Sequence, residues 1–163
     1  MDNTLQKTIV YRLATLKDMA TLIDYRIILL KAVGKTLPLT REAELRKTLK
    51  KYYTKHIGNK TCFSYIAEHK NNFVGFGTFV LRHQPGNFST ITGKTAYILN
   101  MYTLPPYRGL GIATGILERM MVKAKKLSVK RVELRASKMG EPIYRKFGFR
   151  EPQTKVMEMS LDN

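Results

Sequence analysis

Cysteine, histidine and acid are what this chain has least of. One cysteine, Cys62, in 163 residues excludes an internal disulfide. Three scattered histidines, His56, His69 and His83, show no metal-ligand spacing, so no metal is expected. No apolar run approaches the roughly 20 residues that cross a bilayer, since residues 27–33 are few and interrupted by Lys31. The opening MDNTLQK lacks a basic-then-apolar signal pattern, and a cytoplasmic location with no membrane partner is the expectation. Acid is scarce: 12 Asp and Glu stand against 29 Lys and Arg, a net charge of +17. Such a charge attracts polyanions, whether nucleic acid, anionic membrane or a phosphate-rich cofactor.

What is present is an ordinary globular composition, 44% hydrophobic and 25% charged, at about one domain's length. One domain over residues 1–163 is expected, with no internal repeat or linker. Two segments concentrate the cations. In residues 40–57, Leu45, Leu49, Tyr52 and Tyr53 form an apolar stripe, and Lys47, Lys51 and Lys55 turn away from it as a solvated helix face. Residues 119–131 carry six Lys or Arg and no acid. The cations are spread over several elements, without a helix-turn-helix or RNA-recognition signature. A nucleic-acid-binding protein is therefore the less favoured reading, and no specific nucleic-acid partner is expected.

Along the chain, residues 7–13 read as a strand. Thr15-Leu16-Lys17-Asp18 reads as a capping box opening a helix that Gly34 ends. Pro38 breaks the chain before Thr40 caps a second, basic helix ending near Gly58. Residues 63–68 and 73–81 are strands joined by a hairpin turn at 69–72. A Gly/Pro/Ser/Thr loop, 82–94, precedes a strand stopped by Pro105-Pro106. Ile112, Ile116, Leu117, Met120, Met121 and Ala124 recur at helical spacing. A strand at 131–136, a short helix with Pro142 in its first turn and Gly148 at its end, and a last strand at 155–161 complete the order βααβββαβαβ. That order predicts an α/β (α+β) sandwich with a mixed, largely antiparallel sheet flanked by helices. Cys62, in an apolar β stretch, reads as structural.

Residues 107–113, YRGLGIA, lie between a strand and a helix and read as a pyrophosphate cradle. A helix N-terminus offers free backbone N–H groups and a positive dipole end. Glycines admit the ligand close to the backbone, and Arg108 adds a fixed charge. The order Arg108-x-x-Gly111-x-Ala113 resembles the [Gln/Arg]-x-x-Gly-x-[Gly/Ala] signature of the GNAT superfamily of N-acetyltransferases. NMYTLPPYRGLGIAT is similar to that family's fourth strand and loop, RVELRAS to its fifth strand, and GEPIYRKFGF to its closing helix and turn. The resemblance is strong over residues 97–151.

The resemblance implies acetyl-CoA as cosubstrate, held by Arg108, Gly109, Leu110, Gly111, Ile112, Ala113 and Thr114. The strand segment Met101, Tyr102 and Thr103 would pair with the pantetheine arm, with a backbone N–H at Met101 stabilising the oxyanion. Tyr144, in Ser137-x-x-Gly140-x-x-x-Tyr144-x-x-Phe147-Gly148-Phe149, would lie beside the sulfur and protonate the leaving thiolate. Two departures stand out. Ser137 stands where many relatives have an asparagine on the cofactor, and the fourth strand, 97–102, carries no acid where many have a glutamate as base or water-positioning group; Asn100 on it cannot be a general base, though its amide could orient a water or substrate. Glu68 and Glu133 are the remaining acids near the expected cleft. The base stays open, a water chain or an amine arriving neutral being acceptable. Tyr25, Arg26 and Asn100, with the 82–94 loop, would shape the acceptor side. The expected activity is acetyl transfer to a primary amine of a small molecule or peptide by direct attack in a ternary complex. The alternative within the same fold is a non-catalytic CoA-binding sensor, and a homodimer is an allowed assembly.

Overall fold

The computed structural model describes residues 8–34 and 37–161. Five strands form one sheet in chain order: β1 (Ile9–Leu13), β2 (Cys62–His69), β3 (Asn72–His83), β4 (Lys94–Thr103) and β5 (Arg131–Leu134). The first four are antiparallel neighbours, and β5 joins β4 in parallel. Helices α1 (Met19–Ala32) and α2 (Leu39–Gly58) cover one face; α3 (Ile112–Lys126) and α4 (Glu141–Lys146) cover the other. This is the mixed, largely antiparallel sandwich expected.

Local chemistry explains the element starts. Thr15 and Asp18 form a capping box: the Asp18 carboxylate accepts from the Thr15 N–H at 2.8 Å, and the Thr15 hydroxyl accepts from the Lys17 N–H at 3.3 Å. They open a 3-10 turn that runs directly into α1. The hairpin between β2 and β3 turns on Lys70 and Asn71, both left-handed at φ 49° and 62°, as a two-residue turn between twisted strands requires. The α2 stripe is as expected, with Leu49 and Tyr53 buried and Lys47, Lys51 and Lys55 exposed. Leu22, Ile23 and Ile27 of α1 join them against Ile66, Phe76 and Tyr102. On the far face Ile112, Ile116, Leu117 and Met120 of α3 pack on Phe63, Val74, Phe79 and Ile98.

Two expectations are corrected. Thr40 does not cap α2, which starts one residue earlier behind Pro38, with no side-chain cap; the fixed φ of proline places the chain at the helix entrance instead. The segment 155–161 forms no strand. Val156, Met157, Met159 and Leu161 are all exposed, and Glu158 ties the segment to Arg135 by an ion pair of 2.5 Å. Alternation makes a strand only where a partner and a buried face exist, and β5 offers four residues at the sheet's edge. Lys7, expected to begin the first strand, lies outside the described residues.

Candidate active site

The parallel pairing of β4 with β5 ends at Ile98 and Leu134, although β4 continues to Thr103. Residues 99–103 therefore have β3 on one side and a gap on the other. The Leu104 N–H bonds to the Val74 carbonyl of β3. Strand alternation then turns the main chain of Tyr102 toward β3 and that of Met101 and Thr103 toward the gap. The Tyr102 carbonyl fits this, standing 2.9 Å from where a Cβ on Gly75 of β3 would lie. Of the three strand residues expected at the cofactor, Met101 and Thr103 thus face the gap, while Tyr102 gives its main chain to β3 and its ring to the helical core.

A bulge re-aims the middle of β4. Thr78 opposes Asn100 and Phe79 opposes Ile98, so Leu99 is an extra residue. Before the bulge Ile98 packs with α3; after it Met101 does so, leaving Leu99 and Asn100 both toward α1 and α2. Asn100 is buried there, at 2% exposure. Its side-chain oxygen accepts from Arg26 Nη1, and its nitrogen lies 3.5 Å from the Tyr53 hydroxyl. Burial pushes the Tyr53 phenol up to about 12 and the Cys62 thiol up to about 11. Beneath them Ser64 and Thr78 share a buried hydrogen bond of 2.7 Å. Tyr53 was legible only as a member of the α2 apolar stripe; its contact with Asn100 spans two elements that no local pattern links. Tyr25 stacks on Phe73 with ring centroids 3.6 Å apart.

At the open end of the gap stands the glycine turn. Gly109 and Gly111 have φ of 77° and 76°, the left-handed region where a side chain strains the backbone. A Cβ on Gly109 would meet nothing within 4 Å, so this turn faces open space. Gly111 is the N-cap of α3 and provides no side chain, leaving the first helical N–H groups, from Ile112 to Thr114, without intrahelical partners. Leu110 packs against the α3-side core, and Ile112 is buried within it. Arg108 is exposed and donates from Nε to the Thr103 carbonyl at 3.2 Å. The guanidinium thus ties the turn to the end of β4. A cavity of about 140 Å³ lies beside it, lined by Thr114, Pro142, Ile143, Lys146 and Phe147.

Tyr144 is buried in the same cluster as Ile98, Ile112 and Ile116, with its ring edge-on to Phe149 at 5.8 Å. Its hydroxyl has no hydrogen bond to any described residue but is not sealed from solvent, and burial of the side chain raises its pKa. The Ser137 hydroxyl accepts from the Gly140 N–H at 3.2 Å, serving the α4 turn while keeping its own O–H to donate. The two acids singled out for the cleft are committed elsewhere. Glu68 is held by Arg12 at 2.7 Å, and Glu133 lies 4.0 Å from both Arg82 and Arg131. Among the described residues no group of three His, Cys, Asp or Glu is placed to hold a metal ion, and no helix is long and apolar enough to cross a membrane. A strand edge that can accept an amide-bearing arm, leading to unpaired helical N–H groups beside a cation, suits an extended ligand carrying a diphosphate.

The comparisons with known proteins agree. The model of the acetyltransferase (GNAT) family matches residues 31–149. A predicted acetyltransferase of Clostridium acetobutylicum, solved with acetyl-CoA, is 33% identical with a TM-score of 0.86, over 94% of this chain and 96% of that one. Two more distant structures share the fold. An aminoglycoside acetyltransferase from an uncultured soil metagenomic sample, in complex with sisomicin, has 14% identity and a TM-score of 0.71, over 97% and 99% of the chains. Glucosamine-6-phosphate N-acetyltransferase of Arabidopsis thaliana has 17% and 0.70, over 95% and 99%. No curated protein sequence matches the chain. With its signature turn, its splayed strands and its family match in agreement, the chain belongs to the GNAT family of acetyltransferases, and acetyl-CoA is its acetyl donor.

Proposed function

We propose that this protein acetylates a primary amine of a small molecule or peptide by direct attack within a ternary complex. The observation that carries the reading is the gap beside residues 99–103, which opens at one end on the left-handed glycine turn. The main chain of Met101 and Thr103 would hold the pantetheine arm, and the N–H groups from Ile112 to Thr114, with Arg108, the pyrophosphate. Lys146, at the rim of the neighbouring cavity, would meet the remaining phosphate. Acetyl-CoA supplies the activated thioester.

The Met101 N–H serves as the donor to the carbonyl oxygen as charge develops on it. Tyr144 holds a proton at neutral pH, because burial raises its pKa, and delivers it to the departing sulfur. The amine surrenders one proton to water as it forms the new C–N bond. No carboxylate is free on β4, and Asn100 is engaged with Arg26, so an amine that arrives neutral reacts directly.

A screen of amino acids, polyamines, aminoglycosides and peptide N-termini with acetyl-CoA, read by mass spectrometry, tests this. A mass gain of one acetyl group on an amine is expected. Acetylation confined to hydroxyl or thiol acceptors would overturn it.

A further inference from the structure

Arg26 is an uncompensated cation on the acceptor face. Among the described residues its Nε is the one buried side-chain nitrogen or oxygen without a hydrogen-bond partner. Nη1 donates to Asn100, and no carboxylate of the described residues lies within ion-pair distance of it. The acidic groups that share its surroundings do not supply a counter-charge, since the Tyr53 phenol and Cys62 thiol are both raised by burial and stay protonated. A carbonyl or a water would satisfy the enclosed Nε–H but would bring no counter-charge to the half-buried guanidinium.

The free edge has a definite shape. A guanidinium presents Nε–H and Nη2–H side by side as a fork that matches two oxygens of one anion. This chain uses that fork once already: Arg12 grips the Glu68 carboxylate with Nε at 3.1 Å and Nη2 at 2.7 Å. In Arg26 the same fork has no partner among the described residues, while Asn100, backed by Tyr53, secures the opposite nitrogen. Asn100 immediately precedes Met101 on β4, and both follow the bulge, so the fork stands close to the strand segment that faces the gap.

Resting on the acetyltransfer reading above, we propose that the Arg26 fork binds an oxyanion of the acceptor. The acceptor class is then a compact amine that also carries a carboxylate or a phosphate. Asn100 and Tyr53 act as positioning residues that orient the fork through Nη1.

Two measurements test the proposal. The first pairs glycine with glycinamide, and 2-aminoethyl phosphate with ethanolamine, under acetyl-CoA. Wild type should favour the anionic member of at least one pair by about tenfold or more in kcat/KM, the size expected for a charge-assisted bidentate contact. Arg26→Gln should lower kcat/KM for that anionic member at least about tenfold more than for its neutral partner, and Arg26→Lys, which keeps charge without the fork, should fall between. Equal use of both members by wild type, or equal losses in the variants, would overturn the proposal while leaving acetyl transfer intact. The second reads the Arg26 Nε–H resonance by NMR, identified by its absence from Arg26→Lys, during titration with acetate and with inorganic phosphate. A saturable shift at millimolar anion is expected, and the stronger arm tells carboxylate from phosphate. No shift with either anion sinks the proposal whether or not any amine is acetylated. A shift without acetylation of any amine counts against the transfer reading alone.

Discussion

Arg12 closes on Asp18 with both terminal nitrogens, Nη1 to Oδ2 at 2.9 Å and Nη2 to Oδ1 at 2.7 Å. The pair ties β1 to the start of α1, and Glu68 joins it from β2. The guanidinium and the Thr15 N–H hold the Asp18 carboxyl below its ordinary 3.8, at about 2. A depressed carboxylate stabilises the fold above its unfolded pKa and loses that contribution as pH falls through the folded value. Asp18→Asn should therefore cost about 1–2 kcal/mol at pH 7, discounted for the partial exposure of Arg12. The gap between variant and wild-type melting temperatures should close between about pH 4 and pH 2. A gap independent of pH would mean that the ion pair contributes nothing.

Gly77 of β3 lies beneath α3. A Cβ there would come within 2.5 Å of Met120 Cε, 2.6 Å of Ile116 Cγ2 and 3.2 Å of Met101 Cε. The methionine tips can swing aside, but the Ile116 branch cannot without moving α3. Gly77→Ala should destabilise by about 1–3 kcal/mol in urea denaturation. Because Met101 is one of the displaced residues, the affinity for acetyl-CoA should also weaken. Unchanged stability would show that α3 floats on the sheet.

Gly111→Glu places a carboxylate where the cosubstrate's phosphates would lie, on a backbone at φ 76°. The strain should cost about 1 kcal/mol and leave the fold intact. CoA binding by calorimetry should weaken more than about 100-fold, from the micromolar range. Normal binding by a folded variant would place the cradle elsewhere.

Tyr144→Phe keeps the buried ring and its edge contact with Phe149 while removing the hydroxyl, which has no hydrogen-bond partner among the described residues. Stability and KM for acetyl-CoA should change little, since no internal hydrogen bond is lost. Turnover should fall roughly 10- to 1,000-fold, as for the loss of a general acid. Full turnover with chemistry rate-limiting would leave Tyr144 a packing residue.

What the sequence by itself determined is local. The Thr15–Asp18 box, the turn at Lys70 and Asn71, the glycines at 109 and 111 and the apolar stripes of α2 and α3 each depend on residues within a turn or two of one another. Their chemistry acts whatever the rest of the chain does. The tertiary structure decided what depends on a partner. Period-two alternation would put Asn100 on the face of Ile98, and only the extra residue at Leu99, forced by register against β3, sends it to the helical side. Arg26 finds Asn100 across 74 positions because α1 lies on that same face. The segment 155–161 has a strand's composition, yet it pairs with no strand of the sheet and stays exposed. A side chain's type is written in the chain, but the face it occupies and the groups that neutralise it are set by the register and packing of distant elements.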